Sequence, residues 1–253
     1  MSQLTGIFRY LTFGLRKEWI DLFFEIKTDV LKHPSLGNRQ QDAFYCYLQD
    51  VGLIVDRHQI SKFCEKIDAL KKHGKLNTEI IWSFLWVNLC FNSSLFLWWA
   101  NLGCGEYSRE ETITLLAEDY GKLNSSIKGA YTSLISTFER TPIGTDLRLG
   151  EIRKNGMTRV IFKRGGYPFP PAIVLYALYK YAERAGCNHI SLEKIAASPF
   201  SPHRLLAVEA DAVKRSLLSA FAPDLFTVNM QDDALVFALN SEKTSLDVLT
   251  ALI

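Results

Sequence analysis

Apolar residues recur at helical spacing through the first 140 positions of the chain and predict a series of helices. The first predicted helix covers residues 15–32 and ends at Pro34, because the residue before a proline is driven out of helical geometry. Two further helices are predicted over residues 38–50 and 61–72, each followed by a glycine that suits a helix end. The face of the first helix carries Leu15, Trp19, Leu22, Phe23, Ile26, Val30 and Leu31.

Residues 80–105 contain no charged side chain and include four tryptophans. A segment of that length and composition fits a bilayer span. However, Asn88, Asn92 and the pair Ser93–Ser94 interrupt it, and its aromatic residues are spread along it rather than gathered at its ends. The pattern favours two shorter helices that form a buried hairpin, and we expect no membrane association.

The pattern changes from helical to β after residue 148. Asn155–Gly156 lies between two β-prone stretches and is a strong signal for a tight hairpin. Two helices are predicted before it, one beginning with a capping box at Ser108 and Glu111 and one over residues 125–138. Helix, helix and hairpin in this order predict a winged helix.

A similar order of elements follows in the last third of the chain. Helices are predicted over residues 170–185, 191–197 and 208–221, then a second hairpin over 226–237 and a final helix over 245–253. The predicted fold is therefore mainly α with small β-hairpins. We expect a helical N-terminal domain (1–105), a winged-helix unit with a basic wing (106–168) and a second winged-helix-like unit with a C-terminal helix (169–253).

Composition narrows the class of protein. Hydrophobic residues make up 48% and charged residues 22% of the chain, which is typical of a folded domain. The five cysteines show no metal-ligand spacing and the N-terminus carries no secretory signal, so a reduced, cytoplasmic protein is expected. The histidines are scattered, and neither a phosphate-binding glycine loop nor a metal-binding HExxH pattern occurs.

The formal net charge of +2 does not by itself indicate nucleic acid, but the charge is concentrated locally. Between residues 148 and 164 only Glu151 opposes a group of cations. Such side chains on a wing can contact phosphates. The alternative is a solvated hairpin whose cations protect a strand edge. The candidate DNA contacts here are Arg148, Arg153, Lys154, Arg159, Lys163 and Arg164.

The helix before this hairpin is the candidate recognition helix, with Lys122 and Lys128 near its start. The sequence Asn124–Ser125–Ser126 suits base contacts, but it is also ordinary helix-cap chemistry. The second unit has acidic residues beside its basic ones, and Asp232–Asp233 at its hairpin turn. This unit therefore resembles a protein-contact module more than a DNA reader.

Residues 8–19 read FRYLTFGLRKEW, and Leu36–Gly37–Asn38–Arg39–Gln40 follows. Together with the tryptophan-rich segment, this order resembles the uncharacterised-domain family found beside phosphoadenosine-phosphosulfate-reductase-like proteins in bacterial DNA phosphorothioate modification loci. The matching positions are Thr12, Phe13, Arg16, Trp19, Gly37 and Arg39. One departure is that Tyr10–Leu11 stands where the family has His-Glu.

The resemblance implies a DNA-binding protein that nicks one strand so that sulfur can replace a phosphate oxygen. It also implies a cysteine desulfurase, an ATPase and a sulfur-activating enzyme as partners. Of the matching positions, Arg16 and Arg39 are best suited to contact phosphate, and the alternative is that each pairs with a carboxylate. Nicking commonly uses Mg²⁺ or Mn²⁺. A non-catalytic DNA-binding adaptor and a winged-helix transcriptional regulator are the alternatives, and a homodimer is compatible with either.

Overall fold

The first third of the chain is helical, as its apolar spacing predicts. The computed structural model describes residues 6–121, 124–156, 158–220, 222–231 and 234–251. The predicted first helix forms in two parts, an α-helix and a 3₁₀ helix over Lys27–Lys32, because Lys27 takes a positive φ of 55° that no α-helix continues. The helices are α1 (Lys17–Ile26), α2 (Asn38–Asp50) and α3 (Lys62–Lys72).

The tryptophan-rich segment forms two buried helices, α4 (Thr78–Asn92) and α5 (Ser94–Asn101). They join at Ser93, whose backbone is extended, and their axes differ by 105°. The two predicted helices are therefore present and are broken where the polar residues occur, but they form a near-perpendicular corner rather than a hairpin. In the described ranges, no single helix combines the length and apolar character needed to cross a bilayer, whereas α4 and α5 meet that test only as a bent pair.

The polar groups inside this helix pair bond to the segments around it. Trp86 donates its indole N–H to the carbonyl of Leu205 at 2.7 Å, and Trp99 donates to the carbonyl of Leu149 at 2.6 Å. Asn88 donates to the carbonyl of Val51 at 3.0 Å. Each bond satisfies a buried donor that would otherwise cost free energy. The pair α4–α5 thus connects the N-terminal helices with both of the later units.

The first hairpin belongs to a three-stranded antiparallel sheet in the order β1–β3–β2. The first strand of this sheet in chain order is β1 (Gly105–Tyr107), a short strand that was not predicted from the sequence. The helices of this unit lie in the chain between β1 and the hairpin. These elements are α6 (Arg109–Tyr120), α7 (Ser125–Arg140), α8 (Pro142–Thr145), β2 (Glu151–Asn155) and β3 (Thr158–Lys163).

The last third of the chain repeats this arrangement. A second antiparallel sheet has the order β4–β6–β5, with its first strand again paired with the last strand of the hairpin. The predicted helix over 191–197 is shorter and preceded by a strand, and a further short helix forms in the expected linker. The elements are α9 (Pro171–Ala185), β4 (His189–Ser191), α10 (Leu192–Ile195), α11 (Pro202–Leu206), α12 (Ala210–Ser219), β5 (Phe226–Gln231), β6 (Ala234–Leu239) and α13 (Ser245–Ala251).

One hydrophobic core runs through all three predicted regions. Helix α4 packs against α8 and α9, and α13 packs back onto α3. The core is therefore continuous across the boundaries expected near residues 105 and 168.

The N-terminal signature segment lies along α7. The amide of Leu15 donates to the hydroxyl of Thr137 at 2.9 Å, and Tyr47 donates to the carbonyl of Phe13 at 3.1 Å. Gly14 lies very close to the α7 backbone, since a carbon placed at its Cβ position would be 2.3 Å from the backbone nitrogen of Thr137. Only glycine fits there, which fixes residues 8–16 against the C-terminal half of α7.

We expect the substitution Gly14→Ala to lower the free energy of unfolding by about 2–3 kcal/mol, because the added methyl group must displace backbone atoms rather than a movable side chain. Chemical denaturation measures this change. Gly103→Ala is the matched control: its Cβ position is 3.8 Å from the Tyr107 hydroxyl, an ordinary contact. Equal stability of the two variants would show that the segment does not depend on this close approach.

Candidate nucleic-acid interface

The register of the first hairpin separates its cations onto two faces. Lys154 lies opposite Arg159, and Ile152 lies opposite Ile161. Side chains that alternate along a strand share a face, so Lys154 and Arg159 lie on the same face as Ile161, which is buried. Near the turn this face is exposed, and the Arg159 guanidinium bonds to Glu139 of α7 at 3.0 Å. The basic hairpin tip therefore adjoins the C-terminal half of α7.

The other face of the hairpin carries Arg153. Its guanidinium bonds to the Glu151 carboxylate at 3.0 Å and lies 3.8 Å from the centre of the Phe162 ring. The hydrogen bond from Arg153, and then the charges of Arg164 and Arg148, lower the pKa of Glu151. Three arginines thus surround one carboxylate of the hairpin.

The exposed cations of the hairpin differ in whether they already form an ion pair. Arg153 and Arg159 each have a carboxylate partner, whereas Arg148, Lys154 and Arg164 form no ion pair within the described part of the chain. Exposed ion pairs contribute at most about 1 kcal/mol, so a phosphate can replace the carboxylate at little cost. The hairpin tip and base together present five exposed cations: Arg148, Arg153, Lys154, Arg159 and Arg164.

Lys163 does not belong to this surface. It is 1% exposed, and its ammonium donates to the carbonyls of Trp99, Ala100 and Leu102 at 3.0, 2.8 and 2.7 Å. These carbonyls end α5, where no further turn of helix satisfies them. Burial lowers the pKa of Lys163 to about 8. Lys163 therefore fixes β3 to α5 and is not available for a phosphate contact.

Helix α7 begins as the sequence indicates. Asn124 caps it, accepting hydrogen bonds from the amides of Ser126 and Ile127 at 2.9 and 3.1 Å. The cap interpretation of this segment is therefore confirmed for Asn124. Lys128 is exposed one turn later, and Lys122 lies outside the described residues.

The two arginines of the signature lie in different places. Arg16 is half-buried beside the C-terminal end of α7, where it feels the charge of Arg140, a residue that sequence reasoning did not select. Arg39 is exposed in the first turn of α2, a helix that packs on α4 and on the 3₁₀ helix. The fold therefore places Arg16 beside α7, the helix that Arg159 contacts through Glu139, and places Arg39 on a different helix.

Tyr10, which departs from the signature, lies in a buried polar cluster. The Tyr10 hydroxyl donates to the Asp50 carboxylate, and Arg9 donates to the same carboxylate at 2.9 Å. The Tyr10 ring stacks on Tyr47 with 4.0 Å between ring centres. Tyr10 is fully buried, so it has a structural role here.

The second unit presents a different surface. Its edge strand β5 is exposed, with Val228 and Met230 37% and 67% exposed, and Leu218 on α12 is 51% exposed. Arg215 is exposed on α12 between Asp211 and this apolar surface. The turn Asp232–Asp233 lies outside the described residues. The described surface of the second unit is therefore apolar with mixed charges, unlike the cationic surface of the first hairpin.

The fold and this surface define a mainly helical protein with two small three-stranded sheets and one cationic hairpin. Two solved structures share its architecture: an SspB crystal structure with a TM-score of 0.72, and a magnesium ion-bound SspB crystal structure with a TM-score of 0.70. In both, the match covers 100% of this chain and 87% of the other, at 16% sequence identity. No protein-family model and no curated protein matches the sequence. The chain therefore has an SspB-like fold.

The buried carboxyl group of Asp50 makes stability depend on pH. Burial raises its pKa to about 6, although the Tyr10 hydrogen bond and the Arg9 charge lower it. A pKa above the unfolded value near 4 means that the folded state holds the proton more tightly. This contribution to stability is present below pH 4 and is lost as the pH rises through 6.

Between pH 4 and pH 6.5 we expect the free energy of unfolding of the wild type to fall by about 2 kcal/mol relative to that of Asp50→Asn. Denaturation at a series of pH values measures the difference. Asp42→Asn, which changes an exposed carboxylate of the same helix, is the control and should follow the wild type. Parallel curves for the wild type and Asp50→Asn would contradict this assignment.

Proposed function

We propose that the protein is a cytoplasmic, DNA-binding component of a bacterial DNA phosphorothioate modification and defence system. The observation that carries DNA binding is the group of exposed cations around the first hairpin. The SspB-like fold over the whole chain and the resemblance of residues 8–19 support the choice of system. In that setting a cysteine desulfurase, an ATPase and a sulfur-activating enzyme are its proposed partners.

The arrangement of each small sheet supports two winged-helix units. In both, a short strand precedes the helices, and the hairpin that follows them pairs its second strand with that first strand. This is the order of strand, helices and wing in a winged helix. In the first unit α7 then takes the position of the recognition helix and the hairpin that of the wing.

The distribution of charge favours the first unit as the one that binds DNA. Its hairpin presents Arg148, Lys154 and Arg164 without ion-pair partners in the described ranges, and phosphate contacts dominate the affinity of such surfaces. Lys128 lies on the adjoining helix. The second unit, with its exposed apolar residues, suits a protein partner better.

Replacing Arg153, Lys154 and Arg159 together with glutamine should weaken binding to duplex DNA by about tenfold or more. The slope of log affinity against log salt concentration should become less negative by about 2–3, since each lost phosphate contact removes about 0.9. Fluorescence anisotropy at several salt concentrations measures both quantities.

The control replaces Lys62, Lys75 and Lys243 with glutamine, three exposed lysines outside the first sheet and α7. It removes the same charge and should leave the slope within about 1 of the wild-type value. An equal loss in both triple variants would mean that only net charge matters, and unchanged affinity of the hairpin variant would exclude the hairpin as the contact.

Nicking of one strand is the more specific proposal, and a non-catalytic adaptor is the alternative. The burial of Tyr10, which replaces the histidine of the signature, favours the adaptor. In the ranges that the structure describes, no three histidine, cysteine, aspartate or glutamate side chains come together to hold a metal ion. The residues present therefore do not form a recognisable Mg²⁺ or Mn²⁺ site, and we assign no step to a metal.

Incubation of the purified protein with supercoiled plasmid separates the two proposals. A nickase should convert the plasmid to open circles, in Mg²⁺ or Mn²⁺ if a metal takes part, and the activity should fall with the hairpin variant because the DNA is no longer held. An adaptor should retard the plasmid in a gel without opening it. Nicking that the hairpin variant retains in full would point to a contaminating nuclease.

A further inference from the structure

Two arginines meet where the N-terminal segment crosses the end of α7. The Leu15 amide bonds to Thr137 at 2.9 Å, and Gly14 lies directly against the Ser136–Thr137 backbone. Arg16 follows Leu15, and Arg140 lies one turn beyond Thr137. The glycine contact and the hydrogen bond therefore hold the backbone of Arg16 beside the last turn of α7, where Arg140 lies.

The Arg16 guanidinium is fixed but incompletely paired. It lies 4.8 Å from the centre of the Trp19 ring, and its Nε is buried without a hydrogen-bond acceptor. Burial, and then the charge of Arg140, lower the pKa of Arg16, while Glu18 acts in the opposite sense. Buried N–H groups are usually satisfied, so an acceptor is missing at this position.

Arg140 is exposed and forms no ion pair among the described residues. A cation in the last turn of a helix interacts favourably with the helix dipole, which accounts for Arg140 alone. It does not account for a second guanidinium held beside it, because like charges at short range destabilise each other. An anion bound by both guanidinium groups would remove the repulsion and accept hydrogen bonds from their terminal N–H groups.

We propose that Arg16 and Arg140 together bind one phosphate group of the DNA backbone. This proposal rests on the proposed function. The neighbouring residue Glu139 pairs with Arg159 of the hairpin, so the two arginines continue the cationic surface around the end of α7. The N-terminal segment thereby becomes part of the DNA-binding surface rather than only a support for α7.

The first test uses inorganic phosphate and thermal unfolding of the full chain at low ionic strength. Phosphate should raise the Tm of the wild type by about 2 °C or more, because it binds the folded state only. The shift should be lost in Arg16→Gln and in Arg140→Gln, each variant being compared with its own Tm in the absence of phosphate. Arg215→Gln, an exposed arginine on α12, is the matched control and should keep the shift.

The second test is the salt dependence of binding to a short DNA duplex. Each single variant should make the slope less negative by about 0.9, and the double variant by the same amount, since both arginines contact one phosphate. A reduction of about 1.8 in the double variant would contradict a shared phosphate.

The two tests separate the possible failures. Equal phosphate shifts in all four proteins would overturn the anion site, even if DNA binds through the hairpin. A phosphate shift lost in both variants with an unchanged DNA slope would overturn the assignment to the DNA backbone. If the wild type binds no DNA at all, the proposed function fails with that assignment, while the phosphate shift still reports whether the pair binds anions.

Discussion

The fold depends on how the helices α4 and α5, whose single charged residue is Glu79, satisfy their few buried polar groups. Trp86, Asn88 and Trp99 are buried in this pair, and each donates to a backbone carbonyl of a different surrounding segment. An unpaired buried donor costs on the order of 1–3 kcal/mol, so each bond specifies which segment packs there. The apolar surface supplies the stability of the core, while these directional bonds determine the positions of the N-terminal helices and of both later units.

The cationic surface depends on the same helices. Lys163 ends β3 and donates to three carbonyls at the end of α5, so the hairpin that exposes Lys154 and Arg159 is attached to the core by a cation of its own strand. A site on a rigid strand is held in place more firmly than one on a loop. The close approach of Gly14 to the α7 backbone likewise holds Arg16 beside the end of that helix. One strand, β3, therefore carries both a buried cation that attaches it to the core, Lys163, and an exposed cation, Arg159.

Much of the helical fold and the first hairpin could be predicted from the sequence, since α2 has the predicted bounds and a hairpin forms at Asn155–Gly156, with Asn155 paired with Thr158. Strands β1 and β4 could not, because three residues show no alternation and they form only by pairing with distant strands. The inward position of Lys163 was also hidden: Val160, Ile161 and Phe162 are all apolar, so the pattern does not indicate which face is buried. Arg140 is a candidate binding residue only because the fold places Arg16 near it. Arg16 is more than 120 positions away, so no local sequence pattern reveals this proximity.

In the proposed function, one hairpin and its neighbouring helix bind DNA and the second unit does not. Hydrogen–deuterium exchange of the full chain with and without a DNA duplex tests this claim most directly, because it reports on every segment at once. We expect slower exchange in β2, β3 and α7, with β5 and β6 unchanged. Slower exchange confined to β5, β6 and α12 would contradict the claim and would assign DNA binding to the second unit instead.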